Sequence, residues 1–169
     1  MYRKFDKAAY RWDGVEPHEY KENHEVFRRV TKQVLFENEG DLPVQFRYFQ
    51  VEPGGWSSFE HHEHMHMVVI FRGQGHALLG DEVREVHEGD LITIPPWTWH
   101  QFKADEGEPL GFFCLVNARR DAPVYPTEED VKIAEIIVPQ IPSGATLLAA
   151  IIVLAIMILP SIINVSETA

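Results

Sequence analysis

Short runs of β-forming residues, separated by turn-forming ones, constrain the fold of this chain more than any other feature. Between residues 26 and 116, runs such as VQFRYFQV, HMVVIF and LGFFCLV alternate with separators such as EPGG and RGQG. Strands this short, at roughly ten-residue spacing, are typical of an antiparallel sandwich or barrel. The sequence therefore predicts an all-β domain over residues 26–120. The polar residues 1–25 show no clear period and are predicted to form an N-terminal arm.

Charge and cysteine content exclude several classes of protein. The 169 residues include 26 acidic and 15 basic ones, which gives a formal net charge of −11. A nucleic-acid partner requires a basic face, so we expect no nucleic-acid binding. The single cysteine, Cys114, excludes an internal disulfide. Its setting, FFCLV, predicts a small buried hydrophobic residue and not a nucleophile.

The C-terminal part of the chain contains a long uncharged segment. Residues 145–163 carry no charge and would form a helix about 28 Å long, close to the roughly 30 Å hydrocarbon core of a bilayer. We therefore predict a transmembrane helix over residues 143–165, after a linker (residues 121–142) and before a short tail (residues 166–169). Burial of this helix between subunits of a homo-oligomer is the alternative.

The expected location follows from this segment. Residues 1–12 contain no apolar run of the kind that a secretory signal peptide needs. We therefore expect a single-pass C-terminal membrane anchor with the barrel on the cytoplasmic side. Membrane lipid and other membrane-protein subunits are then the expected partners.

A histidine-rich tract, EHHEHMH over residues 60–66, offers metal ligands. Because alternate residues of a strand share a face, Glu60, His62, His64 and His66 could point the same way. Imidazoles together with a carboxylate suit a divalent transition metal. A second element, GDLITIPPWTWH, is a strand that leads through a proline turn to His100, which could bring a fourth ligand from a neighbouring strand.

These two elements resemble the two motifs of the cupins, G-x5-H-x-H-x3-E-x6-G and G-x5-P-x-G-x2-H-x3-N. The resemblance covers about residues 45–116. Aligned on Gly54 and Gly73, the tract has its histidine and acid positions exchanged, but it still supplies imidazoles and one carboxylate. The second motif matches at Gly89, Pro95 and His100 but has Trp97 in place of its Gly and Ala104 in place of its Asn. The resemblance implies a double-stranded β-helix, or jelly-roll barrel, with one metal site.

The ligand set implied by this alignment is Glu60, His62, His66 and His100, with His64 as the alternate to Glu60. The expected cofactor is one divalent ion of iron, manganese, nickel, copper or zinc. Nothing in the sequence selects among these metals, and a barrel without any ion is the competing interpretation.

Residues around the second motif are predicted to form the wall of a ligand pocket at the metal. These residues are Trp97, Trp99, Gln101 and Phe102. Apolar and aromatic walls with a few polar groups are typical of small-molecule sites. Packing in the core of a small barrel is the alternative for the aromatic residues.

Three functions are compatible with these features. The preferred one is a membrane-anchored metal-binding accessory subunit of a membrane protein complex. The alternatives are a metal-dependent cupin enzyme, such as an oxygenase or isomerase of a small oxygenated compound, and a small-molecule-binding sensor barrel. Whether the barrel is catalytic is left open, because no residue beyond Glu63 suggests itself as an acid or base.

Overall fold

The computed structural model describes residues 2–19, 27–127 and 130. Eleven strands lie in this part of the chain: β1 (Phe5–Asp6), β2 (Arg11–Trp12), β3 (His18–Glu19), β4 (Arg28–Glu37), β5 (Val44–Trp56), β6 (His66–Arg72), β7 (Gln74–Leu79), β8 (Glu82–His87), β9 (Leu91–Ile94), β10 (His100–Ala104) and β11 (Leu110–Asn117). No helix that could cross a membrane occurs among these residues. The predicted helix over residues 143–165 and the tail lie outside the described residues, as does most of the predicted linker.

Nine of the eleven strands form one antiparallel sheet that curls into a jelly roll, and β1 pairs only with β2. This arrangement confirms the predicted all-β fold. The order of the large sheet is β8-β7-β10-β5-β11-β6-β9, and β4 also pairs with β5 and with β3. The long strand β5 is therefore the centre of the sheet, since it pairs with β4, β10 and β11. The strand that carries His100 is β10. The sequence pattern does not separate this strand from the proline turn before it.

Alternation along the central strands selects the side chains that fill the interior. The inward side chains of β5, β6, β10 and β11 form one buried cluster, which includes Phe49, Val51, Val68, Ile70, Phe102 and Phe112. Phe49 stacks on Phe112 with ring centroids 5.3 Å apart, and Phe102 lies 4.4 Å from Phe112. This cluster fills much of the barrel interior, and some of its members also line a cavity that contains polar side chains.

The outer face of the same strands is also covered. Tyr48 of β5 is fully buried there and contacts Trp12, Phe71 and Phe113 with centroids 5.3–6.2 Å apart. Trp12 belongs to a two-stranded hairpin of β1 and β2, in which Phe5 pairs with it. The region predicted as an arm thus contains strands, because its aromatic residues can be buried only against this face. β3 extends the sheet beside β4.

Candidate metal centre

Three histidines from separate segments converge in the barrel interior. His66 is the first residue of β6, His100 is the first residue of β10, and His62 lies on the loop before β6. One ring nitrogen from each lies within 4.8 Å of the others. The three rings have centroids 4.6–5.1 Å apart, and each residue is at most 8% exposed. This spacing leaves room for one ion between them.

Backbone hydrogen bonds bring the tract and the second motif together. The amide of Glu60 donates to the carbonyl of His100, at 3.2 Å, and the amide of His100 donates back at 3.0 Å. The amide of Trp97, which has a positive φ of 60°, donates to the carbonyl of His62 at 2.7 Å. The proline turn therefore fixes His62 and His100 relative to each other.

Hydrogen bonds from the imidazole rings to backbone carbonyls decide which ring nitrogens can bind a metal. Nδ1 of His62 donates to the carbonyl of His64 at 2.8 Å, and Nδ1 of His100 donates to the carbonyl of Thr98 at 2.9 Å. With the proton on Nδ1, each ring presents an unprotonated Nε2 to the interior. The Nε2 atoms of His62 and His66 are buried and have no hydrogen-bond partner. Buried polar atoms are normally satisfied, so these two nitrogens fit a metal ion.

Burial keeps the three imidazoles neutral. It lowers the pKa of His62 to about 4, and repulsion from His64 and His100 adds to the shift. Burial also lowers the pKa of His66 and of His100. Neutral imidazole is the form that coordinates a metal, so the environment holds the donors in their binding state at neutral pH.

Glu60 does not join this group of nitrogens. Its carboxylate is buried on the wall of the same cavity, where Oε2 accepts a hydrogen bond from the hydroxyl of Ser58 at 2.6 Å. The group that the structure brings together is His62, His66 and His100, and the assignment of Glu60 as a fourth ligand stays a prediction.

His64, the predicted alternate ligand, is oriented by Asp121. Its ring stacks on that of His62, with centroids 3.6 Å apart, and its Nδ1 donates to Asp121 at 2.6 Å. The same carboxylate accepts from the amide of Glu63 at 2.8 Å and from the amide of His64 at 3.2 Å. Burial opposes the charge of Asp121, but these hydrogen bonds outweigh it and lower the pKa of the carboxyl. Asp121 lies 57 residues from His64 in sequence, and no local pattern indicates the contact.

Substituting Asp121→Ala is expected to weaken metal binding about 10–100-fold, the usual effect of removing a group that orients a ligand. Without the carboxylate, the backbone at residues 63 and 64 loses two hydrogen bonds, and the carbonyl that holds Nδ1 of His62 is free to move. Titration with a divalent metal, followed by calorimetry, measures the change.

The matched control is Asp105→Ala, which removes a histidine–aspartate pair (with His76, 3.1 Å) that does not line the cavity. Equal affinities of the Asp121→Ala variant and the unmodified protein would show that Asp121 does not orient the site.

A cavity of about 280 Å³ adjoins these histidines, and its wall carries three cationic side chains and two carboxylates. Arg47 of β5 is 5% exposed and lies deepest, Lys32 of β4 is half-buried, and Arg120 is exposed. Nη2 of Arg47 donates to Sγ of Cys114, 3.1 Å away, and its guanidinium lies 5.0 Å from the ring of Phe49. Sequence reasoning missed Arg47, because both faces of VQFRYFQV carry aromatic residues and alternation does not separate them.

The four residues predicted for the pocket wall do not all lie at this cavity. Phe102 lines the cavity, whereas Trp97, Trp99 and Gln101 are absent from its wall. His100 points inward, so the next residue of β10, Gln101, points outward. Trp99, in the turn before β10, packs against Phe59 and His61, with ring centroids 4.7 and 4.0 Å away.

The other two side chains have different surroundings. Trp97 is 56% exposed. Gln101 is buried, but its Nε2 donates to the backbone carbonyl of Ser57 at 2.9 Å.

Comparison with known proteins agrees with this geometry. A family model described as a cupin domain matches residues 47–116. A protein of Rhodospirillum rubrum named 1-methylthio-D-xylulose 5-phosphate methylsulfurylase is 52% identical over 126 residues, which are 74% of this chain and 80% of that protein.

Two solved structures share the fold. A cupin-2 domain protein from Rhodospirillum rubrum has 44% identity and a TM-score of 0.74, covering 89% of this chain and 97% of that one. A cupin 2 conserved barrel domain protein from Rhodopseudomonas palustris has 41% identity and a TM-score of 0.72, covering 81% of this chain and 99% of that one.

Proposed function

Because this chain belongs to the cupin family, we propose that it is a metal-dependent enzyme that removes a methylthio group from a ketose phosphate. The observation that carries the proposal is 52% identity to a methylsulfurylase over 80% of that protein's length. The relative is named as an enzyme, which favours the enzyme alternative over the accessory subunit and the sensor barrel. The reaction differs from the oxygenase and isomerase chemistries considered from the sequence.

His62, His66 and His100 would hold the metal, since their donor atoms converge and two of them lack a protein partner. Iron, manganese, nickel, copper and zinc all accept such imidazole donors, and the donor set alone does not choose among them. A divalent ion held here would act as a Lewis acid that polarises the ketone oxygen of the substrate.

The cationic side chains of the cavity wall suit the phosphate end of such a substrate. In a pentulose 5-phosphate, the phosphate on C5 is four carbons away from a methylthio group on C1. The two ends of the substrate therefore require different surroundings. Lys32 and Arg120 lie toward the open side of the cavity, where ammonium and guanidinium groups can hold a phosphate monoester. With the phosphate held at the open side of the cavity, the carbon–sulfur bond of the substrate would lie near the histidines.

The test uses the full-length protein, loaded in turn with each candidate metal. Incubation with 1-methylthio-D-xylulose 5-phosphate and a low-molecular-weight thiol should give the 1-deoxy ketose phosphate, detected by mass spectrometry. Turnover should disappear after chelation and return when the metal is restored. The matched control is 1-deoxy-D-xylulose 5-phosphate itself, which lacks the methylthio group and should remain unchanged. Absence of product with every metal would contradict the proposed function.

We also propose that residues 143–165 anchor this enzyme to a membrane, since residues 145–163 are uncharged and long enough to span one. The full-length protein should remain in the membrane fraction after extraction with alkaline carbonate. A chain that ends at residue 140 should be released, and protease added to intact cells should leave the barrel protected if it faces the cytoplasm. Complete extraction of the full-length protein would contradict the anchor.

A further inference from the structure

We propose that two copies of this chain dimerise through the outer face of the sheet. The inference goes beyond the proposed function and does not depend on it. The surface, which we call the outer apolar face, crosses β4, β5, β11, β6 and β9 on the side of the sheet that faces away from the histidine cavity. Its side chains are Phe36, Phe46, Leu115, Met67, Val69 and Leu91.

Side-chain alternation places these residues on the outside of the barrel. His66 of β6 and Cys114 of β11 line the cavity. The next residue of each strand, Met67 and Leu115, therefore points outward. The outer apolar face is thus a surface separate from the candidate metal centre.

The register of the sheet joins these side chains into one surface. Phe36 pairs with Phe46, and Phe46 pairs with Leu115. Leu115 in turn pairs with Met67. The rings of Phe36 and Phe46 stack with centroids 6.2 Å apart. Neighbouring strands are about 4.8 Å apart, so the five strands give a continuous surface about 20 Å wide.

This surface is exposed to water. Leu91 is 80% exposed, Met67 is 52% exposed and Phe36 is 50% exposed. Leu91 pairs with Val69, so the apolar surface continues onto the edge strand β9. Large contiguous apolar patches are rare on monomeric proteins and mark interaction sites. We therefore expect a partner to cover the outer apolar face.

The dimensions of the face fit a dimer. A standard interface buries about 800 Å² on each partner, which is the area of a square roughly 28 Å on a side. A groove of about 650 Å³ beside Phe36 and Phe46 extends the face, and Tyr2 and Leu42 are exposed there. The face and the groove together approach the size that a stable dimer requires.

The distribution of charge favours a second copy of this chain as the partner. The net charge is −11, so two copies repel each other unless the surfaces that meet are uncharged. The six side chains of the outer apolar face are uncharged, whereas the edge strand β8 exposes Glu82, Arg84 and Glu85. The groove also carries one cation, Arg3, and one anion, Glu39. A two-fold axis can bring Arg3 of one copy to Glu39 of the other, because such an interface is self-complementary.

The experiment measures the mass of the full-length protein in a non-ionic detergent by sedimentation equilibrium, with the solvent density matched to that of the detergent. At micromolar concentration we expect the mass of two chains, and dilution should convert it to the mass of one. Peroxide oxidation of Met67 supplies a second measurement that needs no variant. Its rate should fall several-fold between dilute and concentrated protein, because the dimer covers the thioether sulfur.

Met67→Asp should weaken dimerisation at least about 100-fold, because the two-fold axis places two carboxylates in one apolar interface. The matched control is Val124→Asp, which adds the same charge at a position that is 45% exposed and pairs with His61, outside the outer apolar face. The control should dimerise as tightly as the unmodified protein. Circular dichroism establishes that both variants are folded.

Three results would overturn the dimer. A monomer at every concentration would show that a second copy does not cover the face, and would leave a bilayer or residues 145–163 of the same chain as its cover. A Met67→Asp variant that dimerises as tightly as the unmodified protein would place the dimer contact elsewhere on the chain. An oxidation rate of Met67 that is independent of protein concentration would do the same, even if Met67→Asp does not fold.

Discussion

Replacing His66 with alanine is expected to abolish metal binding at the cavity and to lower turnover at least about 1,000-fold. Lewis-acid assistance is worth several kcal/mol of transition-state stabilisation, and each 1.36 kcal/mol changes a rate tenfold. His66 is 8% exposed, and its buried Nε2 has no hydrogen-bond partner among the protein atoms described. Alanine therefore removes a metal donor without leaving a protein group unsatisfied, and the barrel should remain folded.

The measurement is metal content after dialysis, combined with thermal unfolding. A metal present at 100 times its dissociation constant stabilises the folded state by about 2.7 kcal/mol, so the unmodified protein should melt at a higher temperature when the metal is added. His66→Ala should not respond. The matched control is His87→Ala, which removes a histidine that is 53% exposed on β8 beside Glu85. Retention of stoichiometric metal by His66→Ala would remove the three-histidine site.

Substituting Gly75→Ala is expected to destabilise the fold by about 3 kcal/mol, at the upper end of the usual cost of overpacking. A Cβ at this position would lie 2.1 Å from the backbone carbonyl oxygen of Lys103 and 3.3 Å from Cα of Ala104. These atoms belong to β10, which pairs with β7 through Gly75. The added carbon cannot be accommodated by rotating a side chain, so the two strands must separate.

The effect should also reach the metal centre, because β10 begins at His100. Urea unfolding measures the loss of stability, and metal titration measures the displacement of His100. Gly107→Ala is the matched control, since a Cβ at Gly107 meets no atom within 4 Å. Its stability should stay within about 0.5 kcal/mol of the unmodified protein. Equal stability of the two variants would show that the contact between β7 and β10 is not as close as described.

The strands and the convergence of histidines could be predicted from the sequence, because both follow from short-range patterns. Turn-forming residues separate the strands, and the spacing of two motifs places His100 near the tract. Within residues 60–66, the alternation of side chains expected for a strand does not predict which of them point into the cavity. β6 begins only at His66, so the preceding residues are not constrained to alternate faces, and Glu60 and His64 take different surroundings.

The remaining parts of the site depend on contacts between distant residues. Asp121 belongs to the predicted linker (residues 121–142), and nothing near it in sequence indicates a histidine partner. The apolar sequence neighbours of Cys114 predict correctly that it is buried. They do not predict that the guanidinium of Arg47 lies beside it. Gln101 could have been placed outside by applying alternation to His100. Trp97 and Trp99 lie in the turn, where alternation gives no information.

The candidate site is built from long-range contacts, and this has a consequence for how the protein is synthesised. Arg47 and Cys114 are 67 residues apart, and His64 and Asp121 are 57 apart. Proteins dominated by such non-local pairs fold slowly, because the entropy of closing a long loop is lost before the contact forms. The ribosome must release the whole of β11 before Arg47 can contact Cys114. The cavity therefore forms only after synthesis of the barrel is complete.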